Sequence, residues 1–153
     1  MESIKSIFTR KSPVFLTLTV LYLLIVSFLA WGIHPSVATL LFVIGGIIGM
    51  YFLDVAEVVF TVSPSPFRTI VFTALFALVS FFIVTSSGNY LAIGLVLSIF
   101  LTIILWQGGE FAIARHVNSW YRMVADAPGV SIQRWVFLGL CAIFLFETLL
   151  VIR

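Results

Sequence analysis

Charged side chains are scarce in this sequence. Only 9% of its 153 residues are Asp, Glu, Lys or Arg, whereas 62% are hydrophobic. A chain of this composition has too few polar side chains to cover a soluble globule, and its apolar runs approach the roughly twenty residues that a helix needs to cross a bilayer. The sequence therefore predicts an all-α, polytopic integral membrane protein that forms a single transmembrane domain over residues 1–153.

Cysteine and histidine are almost absent as well. The single cysteine, Cys141, lies in an apolar run, cannot form an internal disulfide, and is best interpreted as a small core residue. Neither histidine, His34 or His116, follows a glutamate by three positions, as a carboxylate metal site in a helical bundle requires. The chain also lacks the sequence motifs of zinc proteases, serine hydrolases and nucleotide-binding loops. We therefore predict no metal, no cofactor and no enzymatic activity.

Basic residues are few and scattered. The formal net charge is +2, and no run of Lys or Arg is broad enough to follow a phosphate backbone. Nucleic acid is therefore excluded as a partner. The expected partners are the lipid bilayer and either further copies of the chain or a larger membrane complex.

Five apolar runs alternate with short polar breaks. Ser12 and Pro13 are typical of a helix N-cap followed by proline in the first turn. The first run is longer than the apolar region of a cleaved signal peptide, about 7–15 residues, so we interpret it as a retained helix. The predicted helices cover residues 13–33, 36–61, 67–85, 90–114 and 134–152, with an interfacial connection at 115–133.

Lysine and arginine are distributed unevenly among the connections. The N-terminus and the second and fourth connections hold Lys5, Arg10, Lys11, Arg68, Arg115, Arg122 and Arg134. The first and third connections contain neither residue type. By the positive-inside rule the N-terminus is cytoplasmic, and five spans place the C-terminus outside. Short loops without a cleavable presequence favour the plasma (inner) membrane of a prokaryote.

Two acids, Asp54 and Glu57, interrupt the second hydrophobic run. A charge at the centre of a lipid-facing helix costs roughly 2.5–3.5 kcal/mol, so such residues face protein, form pairs or are protonated. Their spacing of three places both on one helix face. Glu57 is expected to pair with Arg68. Asp54 has no evident cationic partner in the sequence, so we expect it to be protonated or to bind a cation.

The fourth helix resembles the second. A shift of 53 places Asp54 on Gln107 and Glu57 on Glu110, and a shift of 66 places Arg68 on Arg134. These matches suggest a parallel repeat of helices 2–3 and 4–5 about an axis along the membrane normal. The repeat would bring all six side chains into one buried polar centre, with a second ion pair between Glu110 and Arg134. The alternative is that these ion pairs only fix helix register near the interface.

Two further groups of residues have predicted roles. Small side chains lie four apart in helices 2 and 4, a spacing typical of close helix packing: Gly45, Gly49, Ser98 and Thr102. The interfacial connection carries the residues expected to contact lipid headgroups: Arg115, His116, Trp120 and Arg122.

Two functions of different classes fit these features. The first is a non-catalytic accessory or scaffold subunit that packs within a larger membrane assembly or oligomer. The alternative is a small proton- or cation-coupled transporter or channel that uses the intramembrane carboxylates. An interior without a polar cavity beside Asp54 would argue against transport. The sequence leaves open whether Glu147 faces water, a partner subunit or the outer interface.

Overall fold

The protein is an α-helical bundle over the residues that its computed structural model describes, which are 12–33, 36–60, 65–124 and 126–153. This part of the chain contains no strand. The helices are α1 (Pro13–Trp31), α2 (Val37–Phe60), α3 (Ile70–Ser86), α4 (Tyr90–Ala114) and α5 (Val130–Ile152). Short 3₁₀ turns, Pro66–Arg68 and Asn118–Tyr121, precede α3 and α5. The predicted cationic segment with Lys5, Arg10 and Lys11, and the loop residue His34, lie outside the described residues.

Four helices, α1, α2, α4 and α5, are long and apolar enough to cross a membrane. The apolar helix α3 is shorter, with 17 residues, which correspond to about 25 Å at 1.5 Å per residue. The predicted all-helical class with membrane-crossing helices is confirmed to this extent.

Local sequence sets several of the helix ends. The side chains of Ser12, Thr69 and Asn89 cap α1, α3 and α4, each accepting a backbone N–H of the first turn at distances between 3.0 and 3.4 Å. At the end of α4, Arg115 adopts a left-handed conformation with φ 62°, a position that usually favours glycine. These caps satisfy backbone groups that a helix end leaves without intrahelical partners.

Two helices begin three or more residues away from their predicted starts. α3 begins at Ile70, three residues after the predicted start, because Pro66–Arg68 forms a 3₁₀ turn and Thr69 supplies the cap. α5 begins at Val130, four residues before the predicted start, so the connection between α4 and α5 covers only 115–129. Gln133 is buried against this connection, and its contacts there order the first turn of α5. Arg134 therefore lies in the second turn of the helix.

The most extensive helix contact joins α2 and α4. Gly45 lies against the backbone of Leu91, and Gly49 lies against that of Leu95. Residues that come later in α2 therefore contact residues that come later in α4. α2 and α4 thus run parallel, and α3 returns the chain across the bundle. A Cβ atom at either glycine would overlap a carbonyl oxygen of α4, and one at Gly94 would overlap the carbonyl oxygen of Phe42. Glycine is required at these positions because the backbones approach so closely.

The connection after α4 folds back against the bundle. Trp120 is only 1% exposed, and its indole Nε1 donates a hydrogen bond to Thr73 Oγ1 at 3.1 Å. The prediction that Trp120 contacts headgroups is therefore wrong. The 3₁₀ turn Asn118–Tyr121 directs the ring inward, where both its apolar surface and its N–H group find partners.

Candidate functional site

Arg68 lies between the two acids of α2. Its Nε and Nη2 atoms donate to Glu57 Oε1 and Oε2 at 2.5 and 2.9 Å, and Nη2 also lies 3.3 Å from Asp54 Oδ1. Asp54 therefore has a cationic partner, and the expectation that it lacks one is wrong. The spacing of three residues places both carboxylates on one face of α2, and the 3₁₀ turn after α2 brings Arg68 against that face.

α4 holds the same arginine from the other side. The guanidinium carbon of Arg68 lies 3.7 Å from the centroid of the Trp106 ring, a cation–π contact. Gln107 Nε2 donates to the backbone carbonyl of Arg68 at 3.4 Å. Asp54 and Gln107 are 4% and 1% exposed, so most of this network is removed from the surroundings of the protein. Arg68 thus links α2, the following turn and α4.

Glu110 lies on α4 near the same end of the bundle but has a different partner. Its Oε2 accepts a hydrogen bond from Ser119 Oγ at 2.5 Å. Arg134 is exposed, and its guanidinium lies 5.9 Å from the centroid of the Phe111 ring. The predicted Glu110–Arg134 pair is absent between these two described residues, because the early start of α5 displaces Arg134 from the first turn. The geometry therefore gives the proposed repeat no second ion pair.

A cleft of about 900 Å³ lies between the N-terminal end of α1 and the C-terminal halves of α2 and α4. We call it the acidic cleft. Its polar lining includes Asp54, Glu57, Arg68, Thr102, Gln107 and Glu110. Its apolar lining includes Phe15, Leu53, Val58, Ile103, Leu105 and Trp106. Five of the six residues predicted to form a polar centre thus line one cleft, and Arg134 does not.

The charged side chains of the cleft are predominantly acidic among the described residues. Three carboxylates and one guanidinium line it. The side-chain oxygen of Gln107 is buried and has no hydrogen-bond partner in the described structure. The described residues contain no group of three His, Cys, Asp or Glu side chains placed to hold a metal ion. The volume lies within the range of small-molecule sites, roughly 300–1,000 Å³. The arrangement is suited to a cation with an apolar body.

The residues predicted to pack helices together make their contacts within this chain. Gly45 and Gly49 allow α2 to approach α4, as described above. Ser98 is fully buried, and Thr102 is buried with its hydroxyl donating to the Ser98 carbonyl at 2.9 Å. The small-residue positions of α2 and α4 thus serve the interior of this bundle.

Three of the four predicted headgroup residues remain at the surface. Arg115 and Arg122 are exposed, and His116 is half-buried. Only Trp120 belongs to the core. The surface positions are therefore consistent with an interfacial segment that carries positive charge.

The structure adds a second buried polar cluster that sequence reasoning missed. Glu147 of α5 is 0% exposed, and its Oε2 accepts a hydrogen bond from Ser80 Oγ of α3 at 2.5 Å. Beside it, the Tyr22 hydroxyl of α1 lies 2.9 Å from Thr148 Oγ1. Each of these residues is a polar position in an apolar run, but nothing in the sequence pairs positions 67 or 126 residues apart.

No protein-family model matches this chain, and neither a curated protein nor a solved structure matches it.

Proposed function

We propose that this protein binds a cation with an apolar body in the acidic cleft and acts as a small cation- or proton-coupled membrane transporter or channel. The observation that carries the proposal is the cleft of about 900 Å³ into which α2 and α4 bring Asp54, Glu57 and Glu110. The polar cavity that transport requires beside Asp54 is therefore present. This geometry favours the transport function over the accessory or scaffold function, which requires fewer features of the sequence.

The composition of the lining supports a cationic ligand. Glu110 is held by the neutral hydroxyl of Ser119, and the described structure contains no salt bridge that neutralises it. Trp106 is half exposed, and its ring already interacts with the guanidinium of Arg68. Aromatic faces and carboxylates together favour cations that carry apolar groups. Arg68 fixes the positions of Asp54 and Glu57 around the site.

The proposal includes an orientation in the membrane. α2 and α4 run parallel, and both end near the acidic cleft. The exposed Arg115 and Arg122 follow α4 at this end, so the positive-inside rule directs the cleft to the cytoplasmic side of a prokaryotic inner membrane. Labelling with an impermeant thiol reagent tests this orientation. In a Cys141→Ala background, a cysteine introduced at Ser87 should react from outside and one introduced at Arg122 should not.

The function is tested by removing the charge of Glu110. Purified protein is titrated with radiolabelled tetraphenylphosphonium, and cation uptake is then measured in proteoliposomes. Glu110→Gln keeps an acceptor for Ser119, and we expect about tenfold weaker binding, which corresponds to about 1.4 kcal/mol. Asp126→Asn is the matched control, because Asp126 is exposed and outside the cleft lining. Absence of cation binding by the wild-type protein, or equal losses in both variants, contradicts the proposal.

The accessory or scaffold subunit is the second candidate. The observation that favours it is the low burial of α1 and α5. Only 22% of the most apolar stretch of each of these two helices is buried inside the bundle. These faces are available to lipid, to another copy or to a larger complex. Extraction in mild detergent followed by mass measurement distinguishes the candidates: a defined larger assembly together with no cation flux would favour the subunit.

A further inference from the structure

Glu147 is a fully buried carboxyl group with an incomplete set of hydrogen bonds. It is 0% exposed and lies on the face of α5 that packs against α3 and α1. Ser80 Oγ donates to its Oε2 at 2.5 Å. Its Oε1 atom is also buried and has no hydrogen-bond partner in the described structure. A carboxylate usually accepts several hydrogen bonds, so one hydroxyl is a poor environment for the ionised group.

Among the residues that the structure describes, no cation is placed to balance a charge on Glu147. The sequences of α1, α3 and α4, which pack against α5, contain no lysine, arginine or histidine. Within α5 the single basic residue is Arg134, thirteen positions earlier and therefore about 20 Å away along the axis. Arg153 follows the last turn and is exposed.

The described groups that face Glu147 are neutral. From α3 the facing group is the Ser80 hydroxyl. From α4 the apolar ring of Phe100 packs at 5.6 Å against Phe144, which lies three residues before Glu147 on α5. From α1 the facing group is the phenol of Tyr22, which among the described residues is the titratable side chain found near Glu147. Thr148 donates its own hydroxyl proton to the Phe144 carbonyl at 2.9 Å. The Tyr22 hydroxyl therefore donates its proton to Thr148 Oγ1 and has none left to donate to Glu147.

Burial of an unpaired carboxylate among apolar groups costs several kcal/mol even after relaxation of the surroundings. Protonation removes this cost and gives the group one donor in addition to its acceptors. We propose that Glu147 is a buried proton-binding site that holds a proton while the protein is in a membrane at neutral pH. The site takes a proton as its ligand, and Ser80 is its hydrogen-bonding partner.

This site is separate from the acidic cleft. Ser80 lies ten residues into α3, about 15 Å along the axis from the start of the helix, whereas Arg68 precedes that start. Glu147 and Ser80 do not line the cleft. A test of the proton site therefore does not depend on whether the cleft binds a cation.

Infrared spectroscopy of the protein in lipid vesicles tests the proposal directly. We expect a protonated-carboxyl C=O band at pH 7 that is absent from Glu147→Gln and unchanged in Asp126→Asn. Ser80→Ala should keep this band but shift its frequency, because the carboxyl loses its hydrogen-bonding partner. A wild-type spectrum at pH 7 without a band that Glu147→Gln removes overturns the proposal, and a band unaffected by Ser80→Ala contradicts the assigned partner.

A second measurement needs no variant and so does not depend on the folding of one. Dicyclohexylcarbodiimide modifies protonated carboxyl groups in apolar surroundings, and mass spectrometry of the modified wild-type protein identifies the site. We expect modification of Glu147 at pH 7, at least tenfold above that of the exposed Asp126, and its loss as the pH is raised. Modification of Glu147 no greater than that of Asp126 overturns the proposal.

Discussion

Arg68 binds Glu57 through two hydrogen bonds, from Nε to Oε1 at 2.5 Å and from Nη2 to Oε2 at 2.9 Å. This bidentate geometry is specific to arginine, since lysine offers a single point charge. It joins the last turns of α2 to the 3₁₀ turn that begins the path to α3. The Trp106 ring covers the other side of the guanidinium. One side chain therefore joins α2, the 3₁₀ turn and α4 at this end of the bundle.

Replacement of Arg68 by methionine should destabilise the protein. Loss of one partner leaves the carboxylates of Glu57 and Asp54 without the guanidinium, and breaking a buried pair costs about 3–5 kcal/mol. The side chain of Arg68 is 21% exposed, so we expect a value near the lower end of that range. Thermal unfolding in detergent measures the change. Arg134→Met is the control, because Arg134 is exposed and should change the unfolding free energy by less than about 0.5 kcal/mol. Equal effects of the two variants would show that the ion pair contributes little.

Alanine at Gly94 should disrupt the contact between α2 and α4. The added methyl group would overlap the carbonyl oxygen of Phe42, so the helices must separate, and overpacking of this kind costs about 1–3 kcal/mol or more. Gly139→Ala in α5 is the control, because a Cβ atom there meets nothing within 4 Å. Alanine in a helix interior is more favourable than glycine by about 0.5–1 kcal/mol, so the control should unfold at a slightly higher temperature. A stabilising effect of Gly94→Ala would contradict the close approach.

Two tryptophans should respond differently to the same substitution. Trp120→Phe removes the hydrogen bond to Thr73 and leaves a gap in the core, and we expect a loss of about 1–3 kcal/mol. Trp135→Phe should have little effect, because Trp135 is 71% exposed. Unfolding of both variants in detergent provides the comparison. If Trp135→Phe were the more damaging change, the inward position of Trp120 would be wrong.

Gln133 should control the order of the connection between α4 and α5. Its Oε1 accepts the backbone N–H of Val117, and its Nε2 donates to Asn118 Oδ1 and to the Pro128 carbonyl, all at 2.8 Å. Gln133→Ala leaves these groups unsatisfied, and each costs about 1–3 kcal/mol when buried. We expect faster hydrogen exchange at the Val117 amide in this variant. Ser131→Ala, at an exposed position of the same turn, should leave that rate unchanged. Unaltered exchange in Gln133→Ala would exclude this role.

The expected pairing of Glu57 with Arg68 follows from local sequence, because the two residues are only eleven positions apart. The expected pairing of Glu110 with Arg134 does not form, since it depended on where α5 begins. That start is set by Gln133 and its contacts with the connection, which no local pattern indicates. Errors of a few residues at a helix end are therefore enough to remove a predicted ion pair.

The sequence by itself determined that the chain is helical, that it contains helices apolar enough to cross a membrane, and that acids in α2 require polar surroundings. It predicted five spans, whereas four of the described helices are long enough and α3 is shorter. These properties follow from hydrophobic runs, caps and the cost of charge in lipid, all of which act over a few residues. Only the tertiary structure decided that Trp120 lies in the core and that Ser80 meets Glu147. Those contacts depend on how the apolar helices rotate and pack against one another. Many packings would bury similar apolar side chains, so the sequence of such a chain gives little indication of which packing forms.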